Sequence, residues 1–310
     1  MIHITYIPST SDDLSSGHIL WEIFTTYIFS FLIPNIKPIY NNNWDKCEII
    51  TQNSFKKHTS NMLSNYDYIM KINNYIKWES LSFNDFIVIK NNIEEKSKKY
   101  NNILIECSNV CKIHIDQLCL WYSLKYIQND IYTVYAIPMI KKLYYEDHEC
   151  SPIEQIAIHI RAGDLSIQFI QHGYTINYYI NIINKLKQIY SIPINIYCEG
   201  IDTTNTTCKF VKDNNKHIVH AYIKSIIKLG EIENVFVKLG NFDNLTQQFN
   251  EICRSKIVIP SASSFSLFAT FISNGIIFID EKHMITRPNL FKNIKYIPNI
   301  KLFNHEINLI

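Results

Sequence analysis

Glycine and arginine are scarce in this chain of 310 residues. Gly occurs only seven times, and the chain contains neither GxGxxG nor GxxxxGK[ST], which argues against dinucleotide-binding enzymes and P-loop NTPases. Arg occurs three times, at Arg161, Arg254 and Arg287, although Lys and Arg together total 30. A chain that uses Lys wherever a plain positive charge suffices keeps Arg where a planar, bidentate donor is needed. The three Arg positions are therefore the first candidates for a functional site.

Strong net charge and long apolar runs are also missing. The formal net charge is +2 and the Lys residues are scattered, so we expect no nucleic-acid partner. The most apolar stretch, Ile19–Ile33, is too short for a membrane span and contains Glu22. Met1–Pro8 resembles a short strand and lacks the features of a secretory signal. With eight Cys, we expect free thiols and a cytoplasmic location.

Cys107, Cys111, His114 and Cys119 have a spacing that suggests a zinc site. However, Cys107 ends a predicted strand, and Cys119 lies on the apolar side of a predicted helix. Buried thiols are common in protein cores. We therefore predict no metal site.

The second half of the chain alternates between strand-like and helical patterns. Strands are predicted at Ile156–Ile160, Ile194–Cys198, Asn234–Lys238, Lys256–Pro260 and Ile276–Asp280. Helices are predicted at Asn177–Tyr190, Leu245–Arg254 and Phe265–Ser273, the last followed by the helix-ending pair Asn274-Gly275. This alternation is typical of βαβ units, so we predict an α/β fold with a parallel sheet and helices on both faces.

The first half shows the same alternation less regularly. Strands are predicted at Ile2–Ile7, Cys47–Thr51, Phe86–Ile89 and Asn102–Cys107, and helices at His18–Leu32 and Ile115–Gln128. A length of 310 residues is typical of about two domains. The polar run Tyr144–Pro152 is the best linker, which predicts domains at 1–147 and 148–310.

The strongest chemical signal is the segment HIRAGD, residues 159–164, directly after the apolar run Ile156–Ile158. Ligands of open parallel sheets bind at the carboxyl ends of strands. The forked guanidinium of Arg161 suits a diphosphate, and Gly163 allows a tight turn. Asp164 either fixes Arg161 or accepts a hydrogen bond from a sugar hydroxyl. The alternative is a polar surface turn with an Arg–Asp pair.

A second signal, IPSASSFS at residues 259–266, also follows a strand and opens a helix. Ser263, Ser264 and the local amides suit an anion, although an ordinary serine cap is the alternative. Glu199 and Asp202 follow a third strand, where they contact a nucleoside or acceptor or serve only as turn residues.

HIRAGD, followed about a hundred residues later by SSFS, resembles the fucosyltransferase superfamily, and most closely its α-1,2-fucosyltransferases. The resemblance implies a GT-B fold, with two Rossmann-like domains whose parallel sheets face a cleft. It also implies an acceptor-side N-terminal domain, a donor-binding C-terminal domain, and inverting transfer of fucose from GDP-fucose to a glycan hydroxyl. Neither a metal nor a cofactor is implied, and the chain has no Asp-Xaa-Asp motif typical of metal-dependent glycosyltransferases.

The resemblance assigns roles residue by residue. Arg161 stabilises charge on the departing diphosphate. For the general base, which the resemblance does not assign, Asp164 is one candidate and an acidic residue of the first domain is another. The donor site is formed by His159, Arg161, Gly163, Glu199, Ser263, Ser264 and Phe265. Two departures, Ala162 in place of a second Arg and Leu267-Phe268 in place of Trp-Trp, leave another nucleotide sugar open. Because no general base is identified, a non-catalytic glycan- or nucleotide-binding module is also open.

Overall fold

The structure, a computed structural model, describes residues 2–6, 36–38, 75–78, 91–100, 103–107, 137–145, 151–163, 166–199, 216–240, 244–286 and 299–303. The chain divides into two units, Met1–Glu149 with Lys295–Ile297 and Cys150–Ile294 with Pro298–Ile310. The roles predicted for domains 1–147 and 148–310 stay predictions. None of the helices in these ranges has the length and apolar character needed to cross a bilayer.

The first unit contains a parallel four-stranded sheet in the order β2-β1-β4-β3. Its strands are β1 (Ile2–Tyr6), β2 (Ile36–Pro38), β3 (Tyr75–Trp78) and β4 (Ile103–Cys107). The strands predicted at Ile2–Ile7 and Asn102–Cys107 are confirmed, whereas β2 and β3 were not predicted. The other predicted elements of this half, Cys47–Thr51, Phe86–Ile89, His18–Leu32 and Ile115–Gln128, lie outside the described residues.

Two helices of the first unit are described, α1 at 91–97 and α2 at Ile137–Tyr145. Ile137, Ile140 and Tyr144 are buried at helical spacing along α2. The predicted linker Tyr144–Pro152 therefore begins too early, because Tyr144 and Tyr145 complete this helix. Tyr144 is fully buried. Because a polar run follows it in the sequence, its place in the helical pattern was not recognised.

The second unit is built on a six-stranded parallel sheet in the order β10-β9-β8-β5-β6-β7. Its strands are β5 (Ile153–Ile160), β6 (Ile194–Glu199), β7 (Val235–Gly240), β8 (Ser255–Ile259), β9 (Ile276–Asp280) and β10 (Ile300–Phe303). All five strands predicted for this half are confirmed within a few residues, and β10 was missed. The predicted α/β fold with parallel sheets is confirmed.

Helices connect these strands. They are α3 (Ser166–Gln171), α4 (Ile176–Ile189), α5 (Lys216–Ile227), α6 (Leu245–Arg254), α7 (Ser264–Ile272) and α8 (Glu281–Thr286), with a 3-10 turn at Lys228–Glu231. The three predicted helices correspond to α4, α6 and α7. In α4, Tyr178, Tyr179, Ile182, Ile183 and Leu186 form the buried stripe that periodicity detects. The sequence did not predict α3, α5 or α8.

The strand order of the second unit defines a topological switch point. From β5 the chain moves outward through β6 to β7, then returns to β8 on the opposite side of β5 and continues to β9 and β10. Connections from β5 and β8 therefore leave in opposite directions. In such sheets a crevice forms outside the carboxyl ends of the two central strands, and ligands bind there. Both sequence motifs follow these two strands.

The helix end before Gly275 was predicted correctly, but the reason given for the glycine was wrong. Helix α7 ends at Ile272, as the pair Asn274-Gly275 indicated. Gly275, however, does not have the left-handed φ of a helix-ending glycine. A Cβ at this position would overlap the carbonyl oxygen of Ser255 and lie 2.7 Å from that of Lys256. The glycine is required because β8 passes close to the backbone here.

Candidate functional site

Arg161 and Glu199 form an ion pair at the carboxyl ends of adjacent strands. Arg161 follows the last residue of β5, and Glu199 is the last residue of β6. Because Ile160 is paired with Cys198 in the sheet, the next residues of the two strands meet. Arg161 Nη1 lies 2.7 Å from Glu199 Oε1. The side chains remain 22% and 17% exposed.

The carboxylate of Glu199 also holds the backbone of the loop after β5. The amide of Ala162 donates a hydrogen bond of 2.7 Å to Glu199 Oε2. The interpretation of Glu199 as a turn residue is therefore wrong, since it ends a strand and binds the loop of its neighbour. The predicted partner of Arg161, Asp164, lies outside the described residues, as does Asp202.

Gly163 is buried, and its φ is not in the left-handed region. A Cβ at this position would lie 3.5 Å from Glu199 Oε1, an ordinary van der Waals contact. The chain bends at Gly163, but this bend does not require the left-handed φ that favours glycine. What the glycine does provide is a small residue beside the ion pair.

His159 connects the two motifs. Its side chain is buried on β5, and its Nδ1 lies 2.8 Å from the hydroxyl oxygen of Ser261, in the loop after β8. Burial lowers the pKa of His159 to about 4; nearby Glu199 opposes this shift and Arg161 adds to it. The imidazole is therefore neutral at pH 7, with one ring nitrogen that donates and one that accepts.

The loop before α7 is organised by buried serines. The hydroxyl of Ser266 donates to the carbonyl oxygens of Ser261, at 3.2 Å, and Ser263, at 3.4 Å. Ser263 is the N-cap residue of α7, but its side chain makes no capping hydrogen bond. The alternative of an ordinary serine cap is therefore not what the structure shows for Ser263. Ser264 begins α7, and its side chain lies outside the described part of the chain.

Phe265 is a buried residue of α7. Its ring lies 5.6 Å from that of His159 and 5.3 Å, edge to face, from that of Phe249. Phe265 therefore supports His159 from the core. Its predicted contact with a diphosphate stays a prediction.

The site combines one guanidinium, one oriented backbone amide and the N-terminus of a helix, with a neutral imidazole between them. Helix N-termini and successive amides attract anions, and guanidinium forks bind phosphate oxygens in pairs. Two contributors were missed by the sequence analysis. These are the hydroxyl of Ser261 and the backbone amide of Ala162, and only the sheet register brings the latter to Glu199.

Metal ligands do not gather within the described ranges, where no group of three or more His, Cys, Asp or Glu side chains could hold an ion. Of the zinc candidates, Cys107 ends β4, and Cys111, His114 and Cys119 lie outside these ranges. Cys198 is a buried free thiol, and Cys253 is buried as well. The prediction of no metal site stays a prediction.

No family model matches the chain, and no curated protein matches its sequence. The structure is similar to that of a mutant of Arabidopsis thaliana FUT1 in complex with GDP, with a TM-score of 0.45 and 11% sequence identity. This similarity covers 89% of the present chain and 70% of the FUT1 chain.

Proposed function

We propose that the second unit binds the diphosphate of a nucleotide sugar in the crevice between β5 and β8, and that the protein is a glycosyltransferase. The observation that carries the proposal is the position of Arg161. It places a guanidinium at the carboxyl end of β5, at the switch point of the sheet, where ligands of such sheets bind. The loop from Ser261 to Ser263 and the N-terminus of α7 follow the neighbouring strand β8. A diphosphate has enough oxygens to use donors from both loops.

The finer form of the proposal is inverting transfer of fucose from GDP-fucose to a hydroxyl of a glycan, without a metal. Its support is the resemblance of HIRAGD and SSFS to fucosyltransferase motifs. In this reaction an acceptor oxygen forms a bond to the anomeric carbon as the bond to the diphosphate breaks. Arg161 would stabilise the negative charge that the leaving diphosphate gains. Asp164 is one candidate to take the acceptor proton, and an acidic residue of the first unit is another.

The proposal also includes a GT-B arrangement, with the donor on the second unit and the acceptor on the first. Each unit contains the parallel sheet that such a domain requires. How the two sheets face each other is part of the proposal.

A different nucleotide sugar is the second candidate, and Ala162 favours it. The side chain of Ala162 is fully buried, and an Arg at this position, as in the α-1,2 motif, would not fit the same space. Any contact that a second Arg would make with the donor is therefore absent. A non-catalytic binding module is the third candidate, since no base is identified among the residues that the structure describes.

Thermal unfolding with GDP, GDP-fucose, GDP-mannose and UDP-sugars tests the proposal. A ligand at about 100 times its Kd stabilises the folded protein by about 2.7 kcal/mol, which raises Tm by roughly 5 to 10 °C for a domain of this size. We expect this shift with GDP and one GDP-sugar, and its loss in Arg161→Ala. Arg254→Ala is the matched control, because Arg254 precedes β8 and lies at the opposite end of the strand.

The outcomes separate the candidates. A shift with a UDP-sugar only would replace GDP-fucose as the donor. Donor binding without release of GDP, whether or not a glycan acceptor is added, would favour a binding module. If no nucleotide changed Tm, the nucleotide-sugar proposal would be wrong.

A further inference from the structure

The carboxylate of Glu199 occupies the two hydrogen-bond donors that a bound phosphate would need. Its Oε1 lies 2.7 Å from Nη1 of Arg161, and its Oε2 accepts the amide hydrogen bond of Ala162 at 2.7 Å. A guanidinium and a backbone N–H at the end of a strand are the donors that phosphate oxygens commonly use. The two carboxylate oxygens therefore stand where two phosphate oxygens would bind.

The contact with Arg161 is poorly aligned. Oε1 of Glu199 is a buried atom that accepts no hydrogen bond from the described residues, despite the short distance to Nη1. A buried oxygen that lacks a hydrogen bond is unfavourable for folding. At the same time both side chains are partly exposed, so a ligand from solvent can reach the pair. The geometry therefore favours a Glu199 carboxylate that a ligand can displace over one that is held permanently.

Glu251 shows how a permanently held carboxylate is bound in the same unit. Its Oε2 accepts hydrogen bonds from Lys238 at 2.6 Å and from Tyr197 at 2.8 Å, and its Oε1 accepts one from Gln247 at 2.9 Å. Both of its oxygens are thus satisfied by side chains. Among the described residues, the carboxylate of Glu199 has only the guanidinium and amide of the loop after β5.

We propose that Glu199 is an exchangeable internal anion that competes with the diphosphate of the donor. This inference rests on the proposed function, since it assumes that the crevice binds a diphosphate. Binding requires Glu199 to release Arg161 and the amide of Ala162. A diphosphate displaces it because it carries more negative charge than one carboxylate, and Coulomb attraction grows with that charge. Glu199 thereby selects against ligands with a single negative charge.

Calorimetric titration with pyrophosphate and with GDP tests the inference on the full chain. Glu199→Gln keeps the size of the side chain and removes its charge, and we expect it to lower the Kd for pyrophosphate about tenfold. Glu199→Asp keeps the charge but shortens the reach, so that it no longer spans both donors, and we expect a smaller decrease. Glu154→Gln is the matched control, because Glu154 forms an exposed ion pair with Lys256, and its Kd should equal that of the unmodified protein.

Each outcome bears on one of the two proposals. Tighter pyrophosphate binding in both Glu199 variants supports the exchange. Unchanged or weaker pyrophosphate binding in the Glu199 variants would show that Glu199 has only a structural role, and would overturn the inference. Absence of pyrophosphate binding in every protein would overturn it as well. If pyrophosphate bound but GDP did not, the proposed function would fail while the exchange stood.

A second measurement needs no Glu199 variant and covers the case in which they fail to fold. The chain has six alanines, at 136, 157, 162, 221, 262 and 269. Selective ¹⁵N-alanine labelling therefore gives few amide signals, and Ala162→Gly assigns the one of interest. On addition of pyrophosphate we expect the Ala162 signal to move more than that of Ala221. Equal or smaller movement of the Ala162 signal would contradict the exchange.

Discussion

His159 and Ser261 are 102 residues apart in the chain, yet Nδ1 of the one lies 2.8 Å from the hydroxyl oxygen of the other. The contact joins β5 to the loop after β8 across the switch point of the sheet. It thereby ties the strand that precedes Arg161 to the loop that precedes α7, the two parts of the proposed diphosphate site. Because the imidazole is buried and neutral, this contact depends on pH.

Acidification should destabilise the protein through His159. The folded-state pKa is lowered from 6.5 to about 4, first by burial. The unfolded chain therefore binds a proton at pH values at which the folded chain does not. The stability that results is fully present above pH 6.5 and is lost as pH falls toward 4, with a total near 3 kcal/mol, on the order of 1.4 kcal/mol per pKa unit.

His159→Asn removes this titration and keeps an amide near the position of Nδ1. Between pH 7 and pH 4, its free energy of unfolding, measured by urea denaturation, should fall by about 3 kcal/mol less than that of the unmodified protein. His172→Asn, which replaces an exposed histidine, is the control. Parallel pH profiles for His159→Asn and the unmodified protein would contradict the prediction.

Sequence patterns predicted the elements of the second unit better than their contacts. Near-continuous apolar strands and the helical stripes of α4 and α6 are local signals, so their bounds were found within a few residues. The predicted parallel sheet also placed both motif loops at the carboxyl ends of strands. The pairing of Glu199 with Arg161 was missed because it depends on the register of β5 against β6, which local periodicity does not encode.

Short elements and close approaches were missed for a related reason. The strands β2, β3 and β10 have only three or four residues, too few for a periodic signal. Gly275 was attributed to a helix end because the nearby carbonyl oxygens belong to β8, about twenty residues earlier in the chain. In the sequence, a tertiary contact of this kind is visible only as an isolated glycine.

Arg161→Lys should abolish most of the proposed transfer. A single ammonium is a point charge and cannot replace the fork that binds two oxygens. Loss of one donor to a developing negative charge lowers kcat by about 100- to 1,000-fold. We would measure GDP release from GDP-fucose with a panel of glycan acceptors, and use Arg254→Lys as the control, since Arg254 donates to the carbonyl oxygen of Ser151 at the other end of the sheet. Full activity in Arg161→Lys would remove Arg161 from the mechanism.

Glu251→Gln should weaken the second unit at neutral pH. Burial raises the pKa of Glu251, but hydrogen bonds from Lys238, Tyr197 and Gln247 outweigh it, so the pKa is lower than its ordinary value of 4.5. The stabilisation by this carboxylate is therefore present above pH 4.5 and is lost as pH falls through the lowered pKa. We expect a loss of about 1 to 2 kcal/mol at pH 7, and a smaller difference from the unmodified protein at pH 3.

Urea denaturation at the two pH values checks the effect of Glu251→Gln. Glu154→Gln serves as the comparison, because the Glu154 and Lys256 side chains are 64% and 50% exposed. An exposed pair of this kind contributes at most about 1 kcal/mol, and often nothing measurable. Equal losses in the two variants would show that the hydrogen bonds to Glu251 add no stability.

Two glycine substitutions compare a position where a methyl group would clash with one where it would fit. In Gly275→Ala the new methyl group meets the carbonyl oxygens of Ser255 and Lys256, which are backbone atoms and cannot turn away. In Gly230→Ala the nearest atom is a methyl carbon of Val237 at 3.5 Å, an ordinary contact. We expect Gly275→Ala to lower the free energy of unfolding by about 3 kcal/mol and Gly230→Ala to change it by less than about 0.5 kcal/mol. Similar stabilities for both variants would mean that β8 and β9 move apart at little cost.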